Sequence, residues 1–445
     1  MKCKALHFMN TMADQAGGKR MRKCGFFVFS FLVLGAMIAF AAGGAKAPEE
    51  IVVYLWDDPT YVAIVDAFNQ SQSQVIVKPQ YITSADYETK LATMLAGGVK
   101  MDAFMQKRQT DMFIHYSNGY IYPLDDLIKK YNYDLKTVSS FLSAIQVGGD
   151  TLAIPFRAGT YYTYYNRKMF DIAGIPYPSY YIQKGEWTWA KFSELAKKLS
   201  TGDGKAYGGL FYTWGLCQVV PAIQNKVDFI TQNGKIDIDD SVLKSYKLRK
   251  SLEQSRSIIP LAELKASKLH YSQAFFNGNV AMLISGEWFP GMMLNAKNKS
   301  LLNNFAWNDW GIARLPCDLP QYRSIGVPTF LHIHADSKKK DAAFAFLAWM
   351  GGAEGAKAVA KAGFLPAVIT PDVEGILRDV VPDMDSFRYF TEAPDVYPIF
   401  YTKYGTRVEQ VIIQTTEQYL QGDMSDADFA KNFKDKLEEV IRTFQ

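Results

Sequence analysis

Ile51-Val52-Val53-Tyr54-Leu55-Trp56 is a β-branched and aromatic run that stops at Asp57-Asp58-Pro59. Val62, Val65 and Phe68 then recur at spacings of three, and Val75-Ile76-Val77 resumes strand chemistry. A strand, a helix and a second strand in so short a span predict parallel pairing, with the helix laid across the sheet. The alternation continues outward from there. A helix over about 85–96 carries Tyr87, Leu91, Met94 and Leu95 on one face and ends at Gly97-Gly98, where a glycine cap fits. A third strand is expected over 101–105 and a helix over 111–117, stopping at Asn118-Gly119; Tyr122-Pro123-Leu124-Asp125-Asp126 opens another helix. The fold class is α/β, with crossover helices on a mostly parallel sheet.

Residues 152–166 have strand chemistry interrupted by Pro155 and Gly159, which marks a crossing between two lobes. Beyond it, Trp189, Phe192, Leu195, Ala196 and Leu199 repeat at three and four behind Thr188, a helix with its N-cap. Strands are expected over 311–315 and 325–334. Ser337 is read as the cap of helices over 342–350 and 353–362, and a tail helix from about Ser425 places Phe429, Phe433, Leu437 and Ile441 on one face.

At 445 residues, 48% hydrophobic and 21% charged, the chain is too apolar to be disordered and long enough for two or three lobes. Six of its 49 basic residues and one of its 45 acidic ones lie in the first 41 positions, so the remainder is near neutral and lacks the basic face of a nucleic-acid binder. Those 41 residues read as a secretory signal: Lys19, Arg20, Arg22 and Lys23 precede an apolar run from Gly25 to Phe40 that ends in small residues near Ala41. Met21 makes a better start than Met1. No cysteine follows the run to take a lipid, so a soluble periplasmic protein is expected. Cys217 and Cys317 are read as two buried free thiols rather than a disulfide, and no cysteine pair has zinc spacing.

No nucleophile elbow, phosphate loop or zinc-protease helix is present in the sequence. His332 and His334 would share one side of a strand, yet no third ligand lies near them in sequence, so they are read as ordinary strand histidines. Asp57-Asp58 and Asp125-Asp126 are read as cap or turn residues rather than a glycosidase pair. The aromatic content, 14% with 8 Trp and 26 Tyr, is more telling. Trp56 ends the first strand, where crevices of α/β sheets open; Trp214 and Trp288 lie beside glycines, and Tyr161 to Tyr165 lie in the crossing. An indole platform with polar neighbours matches the apolar face and hydroxyl rim of a sugar. Arg157 is either a cleft cation or one half of an ion pair between lobes.

Seven segments in order carry a resemblance: TKLATMLAGG at 89–98, NGYIYPLD at 118–125, YYNRKMF at 164–170 followed by AGIP at 173–176, WTW at 187–189, FNGNVAM at 276–282 with GEW at 286–288, WGIARLP at 310–316, and SK at 337–338 ahead of AAFAFL at 342–347. Together they resemble the extracellular solute-binding proteins of ABC sugar importers, the maltose-binding-protein-like family. The resemblance implies a two-lobed periplasmic-binding-protein fold, each lobe a mostly parallel sheet flanked by helices, with a hinge and a closing cleft. It places the first lobe over 48–156 and 318–367 and the second over 157–317 and 368–445. The implied ligand groups are Trp56, Asp57 and Asp58; Gln106, Lys107 and Arg108; Arg157 and Tyr161; and Trp214, Glu287 and Trp288. A monomer without cofactor is implied, capturing a carbohydrate and delivering it to membrane permease subunits. Two alternatives stand beside it: a receptor for a non-sugar or anionic solute, favoured if Lys107, Arg108 and Arg157 all face the cleft, and a secreted carbohydrate-active enzyme. Lys100-Met101-Asp102 and Ile154-Pro155 depart from the family's usual pattern, which affects loop placement more than function.

Overall fold

The computed structural model describes residues 47–445 apart from 107, 109, 303–305, 423 and 445; the expected signal segment lies outside the described residues. The first strands are β1 (Glu49–Trp56), β2 (Val75–Ile82), β3 (Ala103–Gln106), β4 (Ile154–Arg157) and β5 (Tyr161–Asn166). They are followed by β6 (Met282–Gly286), β7 (Trp310–Ala313), β8 (Arg323–Gly326), β9 (Thr329–Ile333) and β10 (Asp395–Pro398). β1 buries Ile51, Val53 and Leu55 and pairs in parallel with β2 and β3. Between β1 and β2 runs α1 (Pro59–Ser71), which starts where it does because Asp58 accepts the Thr60 N–H at 2.9 Å and Pro59 occupies the first turn. Its buried stripe is Tyr61, Ile64, Val65 and Phe68. Val62, assigned to that stripe by the three-residue spacing, is 44% exposed, because a period of 3.6 carries position 62 off the face. The next helix, α2 (Tyr87–Ala96), buries Tyr87, Leu91 and Leu95.

The interrupted strand at 152–166 is indeed two strands of different sheets. The first sheet has the order β2-β1-β3-β9-β4, and only β9 runs against the others. The second is β6-β5-β7, extended beyond β6 by parallel bridges from Tyr207 to Val280, Leu210 to Leu283 and Gly209 to Ile258; only β5 is reversed. Both sheets are therefore mixed: the first has two parallel and two antiparallel strand pairs, both pairings of β5 in the second are antiparallel, and in each sheet the reversed strand is the one the chain enters on crossing over. The strand expected over 325–334 is likewise split. β8 pairs with β10, while β9 belongs to the first sheet, so the chain changes sheets at Val327-Pro328.

The passages lie side by side. Thr160 bridges Gly326, and a Cβ on Gly159, whose φ is +69°, would sit 1.6 Å from the Val327 carbonyl oxygen. A third passage runs along the same ribbon: Ala158 N–H donates to the Leu365 carbonyl at 2.9 Å and Ala367 N–H to that of Phe156 at 3.0 Å.

Away from the passages, the expected caps are mostly found. After α3 (Asp111–Ser117) comes α4 (Trp189–Lys198), at whose start Thr188 accepts the Lys191 N–H, and Ser425 accepts the Asp428 N–H ahead of the C-terminal helix (Asp426–Thr443). That last helix buries Phe429, Phe433, Leu437 and Val440, one position short of the expected Ile441. Ser337 is not the cap: the helix starts at Lys340 behind Lys339, and the Ser337 hydroxyl donates to Asp102 at 2.7 Å while accepting the Lys339 N–H at 3.0 Å, tying the approach to the helix down to the first sheet.

The close packing at Gly159 makes a graded prediction. Gly174 also has positive φ (+63°) but no atom within 4 Å of a would-be Cβ. Gly174→Ala is expected to cost about 1 kcal/mol, the price of the left-handed conformation, and Gly159→Ala more than about 3 kcal/mol because backbone must also move. Urea unfolding of the two variants checks this, and equal losses would show that the passages are not tightly packed.

Candidate functional site

Trp56, Gln106 and Arg157 end β1, β3 and β4. Because β5 is reversed, its first residue, Tyr161, lies opposite Gly286 at the end of β6, next to Glu287 and Trp288. Strand ends from both sheets thus meet at the passages, where crevices of α/β folds open.

At the centre is a buried ion pair. Arg157 Nε and Nη2 donate to one oxygen of Glu287 at 2.9 and 2.6 Å, and Nη1 donates to the Tyr61 hydroxyl at 2.6 Å. The other Glu287 oxygen accepts the Leu365 N–H at 2.9 Å. The guanidinium lies 4.0 Å over the Phe364 ring and 5.9 Å from Trp288. Burial works against the charge on Arg157, and Glu287 and Tyr61 together more than offset it, so the guanidinium stays protonated. Burial likewise pushes the Tyr61 hydroxyl up and keeps it neutral.

Aromatic rings flank this pair. On the second-lobe side Trp288 meets Tyr161 edge-on at 5.4 Å and Trp214 at 5.9 Å, and its indole N–H donates to the Tyr271 hydroxyl at 2.7 Å. Tyr271 in turn meets Tyr212 and Trp214 at 5.0 and 5.1 Å. Gly286 lets the indole lie back over the strand, since a Cβ there would be 2.1 Å from the ring. On the first-lobe side Trp56 packs edge-on against Tyr61 and Tyr87. Trp56, Trp214 and Trp288 all remain half-buried.

Of the residues expected at a site, Trp56, Arg157, Tyr161, Trp214, Glu287 and Trp288 are brought into this one cluster, Trp56 by way of Tyr61. The others have different placements. Asp58 caps α1 and Asp57 is exposed. Gln106 is buried, its amide donating to the Arg108 carbonyl at 2.7 Å and its oxygen 3.1 Å from His115 Nδ1. Arg108 lies 3.7 Å from Asp111. Lys107 lies outside the described residues. Sequence reading missed Tyr61, Tyr271 and Phe364, which sit at helix starts or in a passage and follow no motif.

His332 Nδ1 lies 2.8 Å from the Leu152 carbonyl, to which it donates, and His334 Nδ1 accepts the Asp336 N–H at 3.1 Å. Each Nε2 is buried without a partner, and no group of three or more His, Cys, Asp or Glu among the described residues could hold a metal. Cys217 and Cys317 are free thiols, the second only partly buried.

Residues 57–357 match the family model of the bacterial extracellular solute-binding proteins. The chain belongs to that family. The fold of this solute-binding protein is shared with solved structures. A sugar transporter protein from Rhizobium etli in an open conformation is 26% identical, with 89% of this chain and 100% of that one covered at a TM-score of 0.72. An ABC substrate-binding protein from Listeria monocytogenes in complex with cycloalternan is 22% identical, covering 89% and 99% at 0.73. A solute-binding protein from Agrobacterium vitis with bound D-mannitol is 19% identical, covering 89% and 98% at 0.63. The family is extracellular and binds solutes, and among the described residues of this solute-binding protein no helix is long and apolar enough to cross a membrane.

Two predictions concern the buried charges. Glu287→Gln or Arg157→Met leaves the partner unpaired and is expected to cost about 3–5 kcal/mol, whereas the double variant Arg157→Met, Glu287→Leu recovers most of it; chemical denaturation gives the values. Burial holds His332 down to about 3, against an ordinary value of about 6.5 in the unfolded chain. Between those values the unfolded chain binds a proton that the folded one does not, so stability is full above pH 6.5 and falls as pH drops toward 3. His332→Asn is expected to remove about 1.4 kcal/mol per pH unit from that slope, measured by urea melts between pH 4.5 and 6.

Proposed function

We propose that the chain captures a carbohydrate or alditol between its lobes, closes on it, and delivers it to the permease subunits of an ABC importer from the periplasm. The carrying observation is the aromatic wall of Trp288, Trp214 and Tyr161 with Trp56 on the opposite lobe, all grouped around a neutralised Arg157–Glu287 pair. Ring faces suit the C–H face of a sugar, and a neutralised floor suits an uncharged ligand. That relatives of the same fold hold cycloalternan and mannitol supports the reading. On this reading the first lobe comprises β1 to β4 with β9 and the helices before Phe364, and the second comprises β5 to β8 and the chain beyond Ala367.

Ligand contacts made only when the lobes close shift the equilibrium toward the closed form, which the permease can read. A receptor is favoured over a carbohydrate-active enzyme by a specific feature: Glu287, the carboxylate at the centre, is held by Arg157 and the Leu365 N–H and is not available as a general acid or base. Melting the protein, freed of endogenous ligand, across a panel of sugars and alditols is expected to reveal a stabilising ligand that mass spectrometry recovers intact; recovery of cleaved sugar would overturn the reading. For the sugar so found, Trp288→Ala is expected to weaken binding by about 1–3 kcal/mol while Trp288→Phe retains most of it, measured by calorimetry.

A further inference from the structure

On the division into lobes proposed above, the residues ahead of a long second-lobe helix, α5 (Gly405–Gln421), do not stay within their lobe. β10 places Pro398 opposite Gly326, the glycine that bridges Thr160 at the passages. Beyond it Phe400 and Tyr404 bury their rings in one core with Val408 and Ile412 of α5. Tyr401 turns the other way: its ring packs on the core that holds β1 and β3 and meets that of Phe113, in α3, at 5.1 Å. The reversal goes with a left-handed backbone at Phe400, φ +51°, a conformation that a ring residue rarely adopts. The Thr402 N–H donates to the Phe400 carbonyl at 2.8 Å and the Gly405 N–H to that of Thr402 at 2.9 Å, which closes the turn. Only glycine fits at 405, where a Cβ would lie 1.9 Å from the Phe400 oxygen and 2.5 Å from Thr110 Cγ2. One residue on, the Thr406 hydroxyl donates to Asp111 at 2.7 Å and, its one hydrogen so used, accepts that of Thr110 at 2.8 Å.

Both sides of this contact face the cleft. Thr110 follows β3, which ends at Gln106 among the strand ends of the site. In α5, Glu409 Cγ lies 2.6 Å from where a Cβ on Gly215 would sit, and Gly215 directly follows Trp214 of the aromatic wall. Groups on that side of the passages part when the lobes swing open. We propose that Phe400–Thr406 is a clip that holds the lobes together by itself, so that most of the chain is closed before a ligand arrives. This rests on the two-lobed, closing reading above and not on the nature of the ligand. Every partner in the clip is a side chain of the protein, so it forms without one. A clip of one ring contact, two hydrogen bonds and one close glycine contact removes much of the conformational cost of binding, and it must let go for a ligand to enter.

A staple supplies the closed reference. The hydroxyl oxygens of Thr110 and Thr406 are 2.8 Å apart, near enough for the sulfurs of the double variant Thr110→Cys, Thr406→Cys to join at about 2.05 Å. Peptide mapping separates that bond from any made by Cys217 or Cys317. Small-angle X-ray scattering of the chain freed of endogenous ligand is expected to give the unmodified and stapled proteins the same radius of gyration. Tyr401→Ala and Thr406→Val are expected to exceed it by about 1 Å, on the roughly 21 Å of a compact chain of this length. Circular dichroism checks that each is folded, and Thr406→Val, the milder change, carries the test should Tyr401→Ala not fold. The clip is overturned if the two cysteines do not join under mild oxidation, if the unmodified chain is already as large as the variants, or if the folded variants stay as small as the stapled chain. In each of those cases a sugar that compacts the unmodified chain or a variant leaves the closing reading standing. Scattering that no staple, variant or sugar alters overturns that reading as well.

Discussion

Arg157 can be buried only because Glu287 is there, and this pairing constrains everything around it. The two side chains come from opposite sides of the passages: Arg157 ends a strand of the first sheet, and Glu287 follows a strand of the second. Tyr61 from α1 and the Leu365 N–H complete the set, so four segments distant in sequence must converge before any of the polar groups is satisfied. A buried guanidinium left without its carboxylate in that position would face a large desolvation cost. The placement of Trp288, one residue after Glu287, follows from this fixed point.

The passages add a second constraint. Gly159 and Gly326 bring two chain segments into contact at backbone distance, which no side chain permits, and the third passage hydrogen-bonds along the same ribbon on either side of Arg157. The segment that joins the lobes is thus the segment that bears the central ion pair, and Tyr161 of the aromatic wall is two residues from Gly159. On the proposed reading of closure, a change of the angle between lobes would also change the shape of the site.

Much of this was legible in the sequence because it rests on local rules. The β-branched and aromatic run at β1, the cap at Thr188 and the interruption by Pro155 and Gly159 each report their own neighbourhood, and the last of these located the crossing. Trp288 stood out because a glycine and a strand end flanked it. What could not be read depends on partners remote in sequence. Nothing near Arg157 decides between a cation facing the cleft and one half of an ion pair, since its partner is 130 positions away. Gln106 gave no sign that its amide turns inward to His115. The split of 325–334 into two strands carries the same kind of signal as 152–166, a glycine and a proline at Gly326 and Pro328, but the short gap let the two strands be read as one.

The place of β9 within the first sheet bears on the order of synthesis. It lies between β3 and β4, yet it is made only after the whole run from β5 to β8. A nascent chain therefore carries a first sheet with its fourth position empty until about residue 333 has emerged, and contacts of such long sequence separation form slowly. Neither half of the protein can finish early. For a member of an extracellular family, which must cross a membrane before it works, this threading delays the native state to the end of translation and keeps the chain in a form that can still be moved.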